Sequence, residues 1–369
     1  MLSRVAESIF WMCRYLERVE NIARFMDVNF HLALDLPLMD KTQWEPLVAI
    51  TGDTEAFTKR YDQFSQENVV RFLAFDREYP NSLYSCLRNA RENARSVREI
   101  ISSEMWECMN TFFLFVQDES ERGTALLYPH AFFEKVKNSC HLFTGLTEVT
   151  MSHGEPWHFA RMGRLLERAD QTSRILDVKY FILLPGVDYV GTPYDSIQWA
   201  AVLKSVSGHE MYRKRYRRIF PAHVMEFLLL DGEFPRAVRY CVVKAEQSLQ
   251  AITGNTRGQS ANDAEHSLGK LKSELDFTRM QDILQFGVHE YLDVLQTRLI
   301  GVGIAMSNTF FALRPVPAGS VDQGKSVTPV NPVTPVNPLP PMTPAGKPAS
   351  GTATSVQSSS SRADSRPAQ

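Results

Sequence analysis

An internal repeat constrains this chain more than any other feature. Arg14–Phe30, RYLERVENIARFMDVNF, aligns without gaps on Arg164–Tyr180, RLLERADQTSRILDVKY. A second block, Asp40–Asn93, aligns without gaps on Asp195–Ser248 at a slightly larger offset. It sets Gln43-Trp44 on Gln198-Trp199, Lys59-Arg60-Tyr61 on Lys214-Arg215-Tyr216, and Cys86 on Cys241. Asp76, Glu78 and Pro80 fall on Asp231, Glu233 and Pro235 in the same register. Two blocks in one order and at nearly one spacing read as a duplicated structural unit.

Each unit reads as helical. Tyr15, Leu16, Val19, Ile22, Ala23, Met26 and Phe30 recur at three- and four-residue intervals and form one apolar stripe. Similar patterns run through 69–75, 83–101, 130–146, 224–230, 237–252 and 277–311, whereas alternating strand patterns are short and rare. Breaks at Leu36-Pro37, Tyr79-Pro80, Glu155-Pro156, Pro185-Gly186, Phe234-Pro235 and Gly254-Asn255 are helix-ending signals. The expected fold is all-α: a helical bundle of two duplicated units, about 1–150 and 151–314. From Pro315 the composition turns to Pro, Thr, Ser, Val and Ala, with the tandem VTPVNPVTPVNP. Residues 315–369 are expected to be a disordered tail, because so few large apolar side chains cannot offset the entropy of ordering.

Composition narrows the function classes. A formal charge of −2, from 40 basic and 42 acidic residues, gives no global field toward nucleic acid or an anionic membrane. The five cysteines are scattered without a CxxC pair and read as reduced core thiols. Glu7, Arg14, Glu17 and Arg18 interrupt the apolar start, and the longest charge-free apolar segment, Leu299–Leu313, is too short to span a bilayer. A cytoplasmic location is the expectation. The nine histidines form no metal signature, and no P-loop, GxGxxG or GxSxG elbow is present, so neither metal nor cofactor is expected. The run Tyr212–Arg218 interleaves aromatics with charge, yet its counterpart Phe57–Tyr61 is much less basic. It reads as a solvated or partner-facing surface. Trp11, Trp44, Trp157 and Trp199 read as bundle aromatics.

The candidate site is the charged half of the repeated helix. Arg14, Glu17, Arg18, Arg24 and Asp27 are identical in the second copy as Arg164, Glu167, Arg168, Arg174 and Asp177. On the apolar stripe only Leu16/Leu166 is retained. Exposed ion pairs contribute ~0–1 kcal/mol and tolerate swaps, so a face that keeps its specific charges is engaged. Two engagements are open. In one, the arginines and glutamates pair within and between the equivalent helices as a partly buried network. In the other, the arginines line a cleft for an anionic ligand, with Glu17 and Glu167 orienting them. The network is the weightier reading, both can hold together, and no residue is assigned a catalytic role.

The stretch LSRVAESIFWMCRYLERVENIARFMDV, the second Glu167-Arg168 pair and DSIQWAAVLKSVSGHEMY at Asp195–Tyr212 resemble the alpha-E family of bacterial helical proteins, named for its Glu-Arg motif. The resemblance spans residues 1–314. It implies an accessory or substrate-binding subunit of an ATP-grasp ligase-like protein, a carboxylate–amine ligase, in small-peptide synthesis or modification. A transglutaminase-like protein is a further implied partner. An enzyme acting through the Glu-Arg motifs on an anionic peptide-like substrate is the alternative, and a homodimeric scaffold that recruits through its tail is a third.

Overall fold

The computed structural model describes residues 1–35, 44–181, 193–255 and 260–312. The expected tail and the breaks at Leu36-Pro37 and Pro185-Gly186 lie outside these residues. Helices follow in the order α1 (Ser3–Asp35), α2 (Glu45–Thr51), α3 (Thr54–Thr58), α4 (Gln66–Val70), α5 (Leu83–Ser96) and α6 (Ser103–Arg122). Next come α7 (Thr124–Leu127), α8 (Pro129–Thr150), α9 (Glu155–Phe181), α10 (Pro193–Ser205) and α11 (His209–Tyr216). The chain closes with α12 (Pro221–Leu229), α13 (Val238–Thr253), α14 (Asp263–Phe277), α15 (Met280–Phe286) and α16 (Val288–Met306). No strand occurs among the described residues.

Local chemistry explains most boundaries. α1 runs 33 residues because it contains neither glycine nor proline. Ser82, Ser102 and Asn262 cap α5, α6 and α14 by accepting from the backbone N–H three residues on. Gly123 and Gly254, at φ 69° and 68°, end α6 and α13 in left-handed caps. The apolar pattern over 277–311 is not one helix. It breaks after Phe277 and again at Gly287, whose φ of 103° ends α15 before α16 starts. The 69–75 pattern is split between α4 and a π-helical turn at Arg71–Phe75.

α1 and α9 pack against each other at the centre. α1 also packs on α5 and α8, and α6 bridges those two. α9 likewise packs on α13 and α16, and α14 bridges them. The result is two four-helix groups fused through their first members. The short helices cross between the groups: α2 packs on α9, and α10 packs on α1.

The second aligned block forms equivalent turns. Asp76 accepts from the N–H groups of Glu78 and Tyr79 and pairs with Arg60 at 2.9 Å. Asp231 accepts from those of Glu233 and Phe234 and pairs with Arg215. Cys86 and Cys241 donate to the carbonyls of Pro80 and Pro235. The aligned residues Asp76/Asp231, Pro80/Pro235 and Cys86/Cys241 are therefore engaged as turn and packing residues.

The α1–α9 crossing is close enough to exclude a side chain at Gly163, where a Cβ would collide with the Phe10 carbonyl oxygen. Gly163→Ala is expected to destabilise the fold by about 1–3 kcal/mol through overpacking. Urea unfolding checks this, and an unchanged midpoint would mean that the two helices can separate at no cost.

Candidate functional site

The central crossing buries the charged halves of α1 and α9 against one another. Arg18 of α1 grips Glu167 of α9 with two hydrogen bonds, Nε to Oε1 at 2.6 Å and Nη2 to Oε2 at 3.1 Å. Arg168 of α9 grips Glu17 of α1 in the same way, at 2.8 and 2.7 Å. Each Glu-Arg motif thus supplies the partner the other lacks. Arg14 adds a second guanidinium to Glu167, with Nε at 2.9 Å. Arg236 adds one to Glu17 at 3.0 Å and reaches Glu20 as well. Asn81 occupies the position aligned with Arg236 and accepts from Arg18 at 2.5 Å. Asn21 and Gln171 donate to Glu17 and Glu167 from one turn away. Glu17 and Glu167 are buried, 2% and 0% exposed, too enclosed to exchange partners with solvent.

The local field follows from this pairing. Burial alone would push the Glu167 carboxyl up, but the guanidinium groups of Arg18 and Arg14 outweigh it and hold it at about 2. The same opposition leaves Glu17 below the usual carboxylate range through Arg168 and Arg236. Glu20 lies well below that range through Arg236, His141 and Arg24. The cavity that reaches Glu17 and Glu20 has a volume of about 20 Å³, room for one water molecule.

One turn beyond Glu20 the cluster opens. Arg24 pairs with Glu20 at 2.6 Å and donates to Ser207, while His141 stands 2.7 Å from its Nη2. Five guanidinium groups, Arg14, Arg18, Arg24, Arg168 and Arg236, here meet three carboxylates, Glu17, Glu20 and Glu167. Of these five, Arg24 lines a cleft of about 590 Å³ between α1, α8 and α10. Val28, Leu32, Ile197, Ala200 and Ala201 form its apolar part, and Arg24, Lys137 and Lys204 its cationic part, against the single carboxylate of Asp27.

The two aspartates of the repeated helix each meet a histidine from another helix. His130 Nδ1 is 2.6 Å from Asp27 Oδ1, and Lys137 Nζ is 2.6 Å from Oδ2. His289 Nδ1 is 2.6 Å from Asp177 Oδ1, and Gln296 Nε2 is 3.4 Å from Oδ2. Burial pushes the Asp177 carboxyl up, with His289 opposing.

Of the ten charged residues singled out by sequence, Arg14, Glu17, Arg18, Glu167 and Arg168 share one buried network with Arg24 at its edge. Arg164 stands apart on Glu148 at 2.8 Å, and Arg174 binds Asp170 within its own helix. Asp27 and Asp177 lie in separate clusters farther along. Sequence reasoning missed Arg236, Asn81, His130, Lys137, His141, His289 and Gln296. Two signals were available: Asn81 and Arg236 are aligned positions, and His130/Lys137 and His289/Gln296 share a seven-residue spacing.

The other sequence features are quieter. All five cysteines are free, and burial pushes the thiols of Cys13, Cys86 and Cys241 up to about 12, which leaves them unreactive. Tyr212 of the basic run is buried, while Arg213, Lys214, Arg215, Arg217 and Arg218 are exposed. Trp44, Trp157 and Trp199 are core residues. No described helix is long and apolar enough to cross a membrane.

Because folding depresses the Glu167 carboxyl, its stabilising contribution is complete above the ordinary 4.5 and is lost as pH falls through about 2. Urea midpoints should therefore decline across that acid window. At neutral pH, Arg18→Ala and Arg168→Ala should each cost about 3–5 kcal/mol, since each leaves a buried carboxylate with one guanidinium fewer. Losses below about 1 kcal/mol would show that the reciprocal pairs do not hold the crossing.

Comparison with known proteins accords with this architecture. The chain is similar to an uncharacterized protein of Mycobacterium bovis and to one of Mycobacterium tuberculosis, each 24% identical over 272 residues. The match takes in 69% of this chain and 30% of each relative, so the chain spans less than a third of their length. No solved structure matches it. Residues 1–311, which carry both Glu-Arg pairs, match the family described as Alpha-E, a predicted alpha-helical domain with a conserved ER motif. The chain belongs to the Alpha-E family.

Proposed function

We propose that this chain is a non-catalytic helical subunit that holds an anionic, peptide-like ligand for an ATP-grasp carboxylate–amine ligase in small-peptide synthesis or modification. The observation that carries the reading is the cleft at Arg24. It joins surplus cationic charge to an apolar wall, the chemistry that a short peptide with free carboxylates would meet. Lys204 has no carboxylate at ion-pair distance among the described residues and is exposed at this cleft. The mycobacterial relatives extend far beyond the matched region, which agrees with a module that works beside something larger.

The two halves are read as copies of one unit, in support of which α5 and α13 hold the same place beside α1 and α9, as do α8 and α16. The Glu-Arg motifs then serve as the joint between the copies. The enzyme reading of these motifs has less support. A general acid or base near neutrality needs a raised carboxyl and access to substrate, whereas both glutamates are lowered and enclosed.

The test is co-purification of the full chain with an ATP-grasp ligase from the same genome, with ATP turnover followed on amino acids and short acidic peptides. Wild type should bind the ligase and change its turnover. Lys204→Glu, an exposed substitution that keeps the fold, should weaken peptide use about tenfold for each charge-assisted hydrogen bond it removes. Failure to bind together with unchanged turnover would remove the partner reading. Full activity of Lys204→Glu would remove the cleft.

A further inference from the structure

Asp27 is surrounded by more potential donors and ligands than an ordinary ion pair requires. Its side chain is 8% exposed, while those of His31 and His130 are 55% and 57% exposed. One potential ligand atom each from Asp27, His31 and His130 lies within 4.8 Å of the others. The two imidazoles meet edge to face with centroids 4.8 Å apart. His31 Nδ1 is 2.8 Å from the Asp27 carbonyl oxygen, which can only accept, so Nδ1 donates and the Nε2 lone pair is left for another partner.

We propose that Asp27, His31 and His130 form a two-histidine, one-carboxylate site for a divalent transition-metal ion, Zn²⁺ first among them, beside the Arg24 cleft that Asp27 and His31 line. Two imidazoles and a single carboxylate select Zn, Ni, Fe or Cu over Mg or Ca, which take oxygen ligands. Three protein ligands leave coordination positions open. Two ligands at about 2.1 Å in a tetrahedral arrangement stand about 3.4 Å apart, so the Asp27–His130 pair, now at 2.6 Å, must widen by less than about 1 Å and the widest pair, within 4.8 Å, must close by up to about 1.4 Å, which the exposed imidazoles can do by side-chain rotation. Lys137 does not compete for Oδ1. It binds Oδ2 and so fixes the carboxylate from the outer shell, as hydrogen-bond partners of metal ligands do.

The second half of the molecule supplies the comparison. Asp177 also has a histidine at 2.6 Å, but His289 is only 15% exposed and Gln296 stands where Lys137 does. The position aligned with His31 is Phe181 in the sequence. Among the described residues that cluster holds one imidazole, part-buried, and it shows that a structural aspartate–histidine contact needs neither the second ring nor the exposure found at Asp27.

The site is independent of the peptide-ligand reading and is tested with the metal alone. Full-length protein stripped with chelator is titrated with ZnCl₂ by calorimetry, and Co²⁺ is added in parallel to follow its visible d–d absorption. One equivalent should bind with a dissociation constant on the order of micromolar or tighter. His31→Ala and His130→Ala, both at exposed positions, should each weaken binding at least about tenfold with unchanged circular dichroism. His289→Ala should bind like wild type. Absence of stoichiometric Zn²⁺ uptake by wild type overturns the proposal, as does undiminished binding in either His31→Ala or His130→Ala.

Discussion

The reciprocal grip of Arg18 on Glu167 and of Arg168 on Glu17 organises everything around it. A buried charge pair is a poor source of net stability, because desolvation of both ions offsets most of their attraction. It is a strong source of specificity, because a register shift of α1 against α9 would strand charges where water cannot reach them. Gly163 lets the backbones approach, the glutamates are flanked by paired guanidinium groups, and the apolar stripes are left to face α5, α8, α13 and α16. One polar seam in the middle thus sets the relative position of the two helix groups around a continuous apolar core.

The all-helical fold and the place of its seam were legible in the sequence, and the reason is physical. An ionic face that keeps its residues while the apolar stripe drifts cannot be an ordinary surface, since solvent would tolerate substitution there. The stripe drifts, with Val19/Ala169, Ile22/Thr172 and Ala23/Ser173 among its changes, because neighbouring helices can repack around a different side-chain volume. Glu17, by contrast, must meet a guanidinium fork at a fixed place. The sequence reading named pairing within and between the two helices and left open which residues do which, because both would leave the same residues retained.

The parts that stayed hidden are long-range. Arg236 reaches Glu17 across 219 positions, and His130 reaches Asp27 across 103. Neither separation obeys a local periodicity, so a motif search along the chain passes over both. The absence of a metal signature in sequence has the same origin. His31 lies one turn beyond Asp27 on α1, but the second histidine comes from α8. The helix ends inside 277–311 stayed hidden for a different reason: apolar periodicity continues past Phe277 and through Gly287, where the backbone turns at a φ of 103°.

Function is better sought where the two halves differ than where they agree. At aligned or equivalently spaced positions, Lys137 stands opposite Gln296, Lys204 opposite Ala49 and His31 opposite Phe181. All three differences place cationic or ligating groups at the Arg24 cleft. Arg174 is 1% exposed and held by Asp170, whereas Arg24 borders a cleft. Structural demands act on both halves alike, since both must seat their aspartate and close their half of the seam. A set of charged differences gathered at one opening is not required by the fold.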